Sequence, residues 1–347
     1  MLNFYHIIVF ALVFLVSLAL TRIIIAVCHR FSVYDYPGKH KRHRRPTPIL
    51  GGTVILLGTW LGLAVYLGFT DDSLLEVAGI FPNILAGSLI IYLIGLVDDF
   101  RPINAWLKLA AQTAAGLVLY FGGLSIDLLS VPVLGTTGLN GFSVLITVFW
   151  VVALSNAINL IDGLDGLATG VSAIASATMV ILGVLFRIDA VIVVSLCLLG
   201  SLSAFWIFNR YPARIFLGDG GSLLIGYFFA VLSLIVPIKS FTTAALFMPL
   251  VILGVPLTET LSSFLRRLLA GKNVMKADRR HIFHYLQHLG LTHGQIVNLF
   301  YLSGLFFSLT SVGMFFYRRT LVMTILVLFM VVIFISVSYT HLTLPTN

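Results

Sequence analysis

The chain has 347 residues, of which 59% are hydrophobic and 10% are charged, and its formal net charge is +8. Its mean hydropathy is +1.06. Soluble domains carry about 25% charged residues, so this composition excludes a soluble globular protein. The 27 Phe and 12 Tyr residues require burial and exclude intrinsic disorder. Apolar runs of about 20 residues, each able to cross a hydrocarbon core, recur along the chain and predict an all-α polytopic membrane protein.

These runs predict ten transmembrane helices, or eleven when the last run is included. The spans are 4–27, 49–69, 81–97, 105–121, 143–160, 167–186, 190–208, 221–237, 243–264, 295–316 and 320–338. All belong to one predicted domain, 1–338, whereas residues 339–347 differ in character and suggest a non-native or truncated tail. Segment 122–142 is rich in glycine and alternates in polarity, which predicts a short extracytoplasmic β-hairpin.

The basic residues predict the orientation of the spans. The connections on one side of the membrane hold fifteen Lys and Arg residues, and those on the other side hold four. The set with fifteen is 29–48, 98–104, 156–166, 209–219 and 265–294. An excess of Lys and Arg marks the cytoplasmic side, so we expect the N-terminus outside. Because 19 of the 21 Lys and Arg residues lie in these connections, a nucleic-acid partner is not indicated. Cys28 and Cys197 both lie in apolar runs, which excludes a disulfide framework and a thiolate zinc site.

Five aspartates lie at the predicted cytoplasmic ends of spans: Asp98, Asp99, Asp162, Asp165 and Asp219. Ionisable residues at membrane depth are costly unless they are paired or bound to metal, and they are functional candidates for that reason. Carboxylates clustered with amides, without thiolates, form an oxygen-rich site that suits Mg²⁺ or Mn²⁺ rather than zinc. The sequence therefore predicts a cytoplasmic-face active site with a divalent cation.

The spacing of the polar residues predicts how they are arranged. Amides and carboxylates recur every three residues from the end of the fifth span onward, at Asn156, Asn159, Asp162 and Asp165. This spacing places neighbouring members on one helical face. Asp98 and Asp99 are adjacent and point about 100° apart on a helix. We therefore expect one of them to contact the ligand and the other to lie behind it.

Glycines and basic residues supply candidate anion sites. GDGGS (218–222) opens the eighth span, and a helix N-terminus after a glycine-rich turn can bind phosphate through its N–H groups. The same glycines can instead serve close helix packing. PTPILGG (46–52) starts the second span after the basic run KHKRHRR (39–45), which could contact either substrate or anionic lipid headgroups.

The last long connection adds histidines. In ADRRHIFHYLQHLG (277–290), His281, His284 and His288 share nearly one face if the segment is helical, and Arg279 and Arg280 precede them. Three histidines with two arginines predict an anion site. A metal together with cationic side chains on one face matches a diphosphate nucleotide. A membrane location then implies that the second substrate arrives through the bilayer.

These segments resemble the motifs of the polyprenyl-phosphate N-acetylhexosamine-1-phosphate transferases. The resemblance covers about residues 1–335 and rests on five ordered segments, PTPILGG, GLVDDF, NAINLIDGLDGLATG, FNRYPARIFLGDGGSLLIG and ADRRHIFH. It implies transfer of a sugar-1-phosphate from a UDP-N-acetylhexosamine to undecaprenyl phosphate, with release of UMP. It also implies a requirement for Mg²⁺, with Mn²⁺ as the other candidate cation. The implied location is the bacterial cytoplasmic membrane, and a homodimer is one implied oligomeric state.

Motif positions in that resemblance imply residue roles. Asp219 is implied as the principal metal ligand, with Asp162 and Asn159 beside it. Asp98 is implied to deprotonate or position the lipid phosphate, with support from Asp99. The implied catalytic residues are Asp98, Asp99, Asp162, His281 and His284. The implied substrate-binding residues are Asn156, Asn159, Asp165, Asn209, Phe216, Arg279, Arg280 and His43, of which Asp165 would hydrogen-bond uracil and Phe216 would stack on it.

Two branches of the family remain open at this point. The loop DRRHIFH resembles the DRQHxHH of the UDP-GlcNAc enzymes that start O-antigen, enterobacterial common antigen or teichoic acid. The peptidoglycan enzyme, which uses UDP-MurNAc-pentapeptide, carries three consecutive histidines after a proline in this loop. Phe283 occupies a position where the UDP-GlcNAc pattern has histidine, so the donor could be another UDP-N-acetylhexosamine. A secondary transporter would place its acids near the bilayer midplane, whereas here they lie at helix ends.

Overall fold

The computed structural model describes residues 2–36, 46–69, 79–131, 135–239, 254, 256, 286–287 and 289–316. Within them lie nine α-helices: α1 Phe4–Phe31, α2 Gly51–Phe69, α3 Phe81–Phe100, α4 Ala105–Phe121, α5 Ser143–Ile161, α6 Leu167–Phe186, α7 Asp189–Asn209, α8 Gly218–Lys239 and α9 His293–Phe316. Eight are long and apolar enough to cross a membrane, while α4 is shorter at 17 residues. The predicted fold class is confirmed. The predicted spans 243–264 and 320–338 and the tail 339–347 lie outside the described residues.

Two small antiparallel strand pairs accompany the helices. β3 (Leu128–Val131) pairs with β4 (Gly135–Gly138) between α4 and α5, which confirms the predicted hairpin. A shorter pair joins β1 (Tyr34–Asp35) to β2 (Thr47–Pro48). The sequence did not predict this second pair, because two residues a strand are too few to show a period of two.

The helices form a bundle around α7 and α8, the two most buried spans. α8 packs against α2, α3 and α5, and α7 packs against α1, α2 and α6. We call the end where α3, α5 and α7 terminate and α8 begins the site end. The opposite end, which carries β3 and β4, is the hairpin end.

Close backbone contacts between glycines fix α8 against its neighbours. A Cβ added at Gly52 of α2 would lie 2.5 Å from the backbone nitrogen of Gly221. A Cβ added at Gly95 of α3 would lie 2.5 Å from the Cα of Gly220. Small residues allow helices in membranes to approach this closely. As a result, the ends of α2 and α3 meet the first turn of α8.

A polar cluster fastens α1, α2 and α7 at the hairpin end. The Nε2 of buried His6 lies 3.1 Å from Asp189 Oδ1, and the Tyr66 hydroxyl donates to Asp189 Oδ2 at 2.7 Å. Polar pairs between membrane helices contribute of the order of 1 kcal/mol. This cluster is separated from the site end by the length of the helices.

Candidate active site

A lysine between two aspartates forms the centre of the site. Lys108 of α4 places its Nζ 2.6 Å from Asp219 Oδ2, at the start of α8. The same ammonium forms an ion pair with Asp98 near the end of α3. Asp98 Oδ1 also accepts a hydrogen bond from the backbone N–H of Ile103 at 2.8 Å. Three helices therefore meet in one ion-pair network, in which one positive charge is shared by two carboxylates.

Asp99 lies behind this network and caps α8. Its Oδ1 accepts the backbone N–H of Asp219 at 2.7 Å, and its Oδ2 accepts that of Gly220 at 3.1 Å. A carboxylate at a helix N-terminus satisfies free N–H groups and complements the helix dipole. Asp99 thus occupies the N–H groups of Asp219 and Gly220, and the GDGGS glycines serve close helix packing, the second of the two alternatives from the sequence. Asp98 and Asp99 do have different partners, as the sequence predicts.

Asn159 connects α5 to the same network. Its Nδ2 donates to Asp219 Oδ1 at 3.0 Å and to Ser222 Oγ at 2.9 Å. Asn156, one turn earlier, instead donates to Gln112 Oε1 of α4 at 2.8 Å. The two amides therefore extend the site along α5 and tie it to α4 and α8.

The sequence predicts that neighbouring members of the series Asn156, Asn159, Asp162 and Asp165 share a helical face. This prediction is wrong for Asp162 and Asp165. α5 ends at Ile161, so Asp162 and Asp165 lie in the turn that follows. The chain turns here because Gly166 adopts a left-handed conformation with φ of 77°. Burial, together with the negative charges of Asp219, Asp99 and Asp165, raises the pKa of Asp162 to about 8. A cation placed nearby would favour its ionised form.

The connection between α7 and α8 is built by Asp165 and Asn209. Asp165 Oδ2 accepts the backbone N–H of Ala213 at 3.0 Å. Asn209 is 3% exposed, accepts from the Thr169 hydroxyl and donates to the Ile215 carbonyl. Both ends of the Asn209 amide therefore contact the protein, and this residue holds the connection in place.

Phe216 lies where the same connection meets β2 and α2. Its N–H donates to the Pro48 carbonyl at 2.7 Å, and its carbonyl accepts from the Gly51 N–H at 3.1 Å. These bonds join the PTPILGG segment to the FNRYPARIFLGDGGSLLIG segment through their backbones. The two motifs are thus parts of one structural unit at the site end.

α9 covers one flank of the site through contacts that the sequence analysis missed. His293 Nε2 lies 3.2 Å from the Asp165 carbonyl oxygen, and its ring stacks on Tyr211 at 4.4 Å. The Tyr301 hydroxyl donates to the Gly166 carbonyl at 2.6 Å. An apolar helix with a few polar residues offers no sequence signal that would identify these partners.

Five predicted site residues lie outside the described residues: His43, Arg279, Arg280, His281 and His284. The structure therefore brings together Asp98, Asp99, Asn159 and Asp219, with Asp162 in the adjoining turn. It adds Lys108, which the sequence analysis did not single out. The signal was present, because a lysine in an apolar span requires a partner.

The oxygen ligands of this network suit a hard cation. Among the described residues, no group of three His, Cys, Asp or Glu side chains is arranged to hold a metal by itself. Mg²⁺ commonly binds through one or two carboxylates and takes its other ligands from substrate phosphates and water. The partly exposed carboxylate of Asp219, with the Asn159 amide hydrogen-bonded to it, fits that kind of site.

Comparison with known proteins assigns the family. Residues 81–237 match the model of the family described as glycosyl transferase family 4. The chain is 32% identical over 329 residues to the probable undecaprenyl-phosphate N-acetylglucosaminyl 1-phosphate transferase of Bacillus subtilis, covering 93% of this chain and 89% of that relative. The chain belongs to glycosyl transferase family 4. The transferase resemblance drawn from the five motifs is confirmed.

Two further known proteins are similar to this chain over most of its length. The decaprenyl-phosphate N-acetylglucosaminephosphotransferase of Mycobacterium leprae is 32% identical over 308 residues, covering 81% of this chain and 77% of the relative. The phospho-N-acetylmuramoyl-pentapeptide-transferase of Oceanobacillus iheyensis is 31% identical over 323 residues, covering 86% and 94%. Membership of glycosyl transferase family 4 makes the chain a multi-pass membrane transferase and removes the transporter alternative.

Proposed function

We propose that the protein transfers N-acetylglucosamine-1-phosphate from UDP-N-acetylglucosamine to undecaprenyl phosphate on the cytoplasmic side of a bacterial inner membrane. UMP would be released, and the lipid-linked sugar would start a cell-envelope glycan. The name of the Bacillus subtilis relative supports this donor group and acceptor. The observation that supports the chemistry is Lys108 held between Asp98 and Asp219 at the end of the helix bundle.

The charge of this network fits a reaction between anions. Phosphoryl transfer needs alignment and charge neutralisation more than covalent help from the protein. The Lys108 ammonium can donate to a phosphate oxygen while it holds Asp98 and Asp219 in place. Asp219 and Asn159, with Asp162 close by, would hold Mg²⁺, which when bound would neutralise charge on the diphosphate. Asp165 and Phe216 would then contact the uridine, as the family resemblance implies.

We favour direct attack over a covalent intermediate on Asp98. An oxygen of the lipid phosphate would form a bond to the β-phosphorus of the UDP-sugar. The bond between that phosphorus and the bridging oxygen would break, and UMP would leave with its electron pair. Asp98 would first have to release Lys108 or the Ile103 N–H to act as a nucleophile, and its contacts suit an orienting role instead.

The test is a transfer assay with purified full-length protein. Labelled UDP-N-acetylglucosamine and undecaprenyl phosphate should give labelled lipid in the organic phase, and EDTA should abolish the product. Parallel reactions with decaprenyl phosphate and with other UDP-N-acetylhexosamines would define both substrates. A stoichiometric burst of UMP without lipid acceptor would overturn direct attack. Absence of labelled lipid with every sugar tested would overturn the proposed function.

The second candidate donor is UDP-MurNAc-pentapeptide. The similarity to the Oceanobacillus iheyensis relative supports it. The loop DRRHIFH favours UDP-N-acetylglucosamine, because it lacks three consecutive histidines. Turnover of the pentapeptide substrate without turnover of UDP-N-acetylglucosamine would decide for this second candidate.

A further inference from the structure

A second basic site lies at the site end, on the α1 side of the bundle. A cavity of about 490 Å³ opens between α1, β2 and the connection that follows α7. Its volume falls in the range of about 300–1,000 Å³ that small-molecule sites occupy. Asp98, Lys108 and Asp219 are not among its lining residues, so it lies outside their ion-pair network.

The cavity is lined by positive charge without a matching carboxylate. Arg22 of α1 and Arg214 of the connection line it together with His29, and no Asp or Glu among the described residues does. Within the described part of the chain, neither guanidinium forms an ion pair with a carboxylate. Two guanidinium groups on one cavity are suited to bind a phosphate, because their N–H donors match its oxygens.

The position of Arg22 along α1 places the cavity at the surface of the hydrocarbon core. The stretch from Phe4 to Thr21 contains no Asp, Glu, Lys or Arg. At about 1.5 Å per residue it is close to the thickness of a hydrocarbon core of about 30 Å. Arg22 follows at once and would lie at headgroup depth.

The remaining walls suit a lipid better than a free anion. Ile25 and Phe208 supply an apolar wall beside the arginines. In the sequence, the basic run KHKRHRR ends directly before Pro46, another lining residue. Basic pockets between transmembrane helices on the cytoplasmic side bind lipid headgroups.

We propose that this cavity binds the phosphate headgroup of an anionic membrane lipid through Arg22 and Arg214. Arg214 lies in the same connection as Phe216, whose N–H donates to the carbonyl of Pro48 in the cavity wall. A headgroup bound here would therefore tie α1 to the connection that leads into α8. This site takes a phosphate that is not a substrate of the transfer reaction.

The test measures lipid binding to the purified full chain after removal of co-purified lipid. Dioleoylphosphatidylglycerol is titrated and followed by native mass spectrometry, with dioleoylphosphatidylcholine as the neutral lipid. We expect selective binding of phosphatidylglycerol to the wild type. Loss of each guanidinium should weaken binding about fivefold, so R22Q/R214Q should bind about 25-fold more weakly.

The matched control is R30Q/R101Q, which removes two exposed arginines at the same end that do not line the cavity. It should bind phosphatidylglycerol like the wild type, and equal weakening in both double variants would overturn a defined site. The single variants R22Q and R214Q test the proposal if the double variant does not fold. Equal affinity for phosphatidylcholine would also overturn it. Displacement of the lipid by millimolar inorganic phosphate would overturn the lipid assignment in favour of a free anion.

Discussion

Lys108 shows how a single polar residue in an apolar helix acquires a function through its partners. Its ammonium is held by Asp98 and Asp219, which come from two other helices. A charge at this depth is tolerated because it is paired. The same pairing leaves a net negative charge on the three residues, which favours the approach of a further cation.

Removing the Lys108 charge should impair catalysis more than folding. In Lys108→Gln, Asp98 and Asp219 would repel each other and the phosphate would lose a donor. We expect kcat/KM to fall about 100-fold or more, as for other charge-stabilising donors. The transfer assay measures this, with thermal unfolding as the check on folding. Arg101→Gln, an exposed charge in the neighbouring loop, is the control, and a Lys108→Gln activity within threefold of it would contradict the role.

Asp99 should act through helix α8 instead. Asp99→Ala would leave the N–H groups of Asp219 and Gly220 without their acceptor, at a cost of about 0.5–2 kcal/mol in stability. Asp99→Asn keeps one acceptor oxygen and should lose less. Thermal unfolding of the two variants in the same detergent compares them. If Asp99→Ala unfolds at the wild-type temperature, the capping contacts do not stabilise α8.

The contact between α2 and α8 depends on the absence of side chains. Gly52 meets the backbone of Gly221, which cannot move aside as a flexible side chain could. Overpacking of this kind costs typically about 1–3 kcal/mol. Since Gly221 lies two residues after Asp219, the same contact also sets the position of the principal carboxylate.

Two alanine substitutions in α2 separate packing from helix propensity. Gly52→Ala should lower both stability and activity, because it pushes α2 away from α8. Gly68 lies in the same helix, and a Cβ added there would meet no heavy atom within 4 Å. Gly68→Ala should therefore be neutral or slightly stabilising. Unfolding temperature and transfer rate are measured for both. Equal effects of the two substitutions would contradict the packing argument.

The sequence predicts helices well where apolar length decides, and less well where a helix end decides. Hydropathy placed all nine described helices within a few residues. The spacing of three suggests a common face that Asp162 does not share, because the helix ends at Ile161, one residue beyond the predicted span 143–160. Residue type identified the acidic cluster, whereas the pairing of Lys108 depends on contacts between helices distant in sequence.

The bundle as a whole is polarised between its two ends. Asp98, Asp99 and Asp219, together with Lys108 and the basic cavity, lie at the site end. The hairpin end carries β3, β4 and the cluster of His6, Tyr66 and Asp189. The distribution of Lys and Arg predicts that the site end faces the cytoplasm. This orientation is required for a donor that is a cytoplasmic nucleotide sugar.

Single cysteines can test that orientation in intact cells. The native Cys28 and Cys197 are buried and would be replaced by serine or alanine in the background protein. Thr137 in β4 and Leu289 before α9 are exposed at opposite ends of the bundle. We expect a membrane-impermeant maleimide to label Thr137→Cys in intact cells but to label Leu289→Cys only after the membrane is opened, because the reagent cannot cross the bilayer. The reverse pattern would place the site end outside, where it could not meet a cytoplasmic donor, and would contradict both the orientation and the proposed reaction.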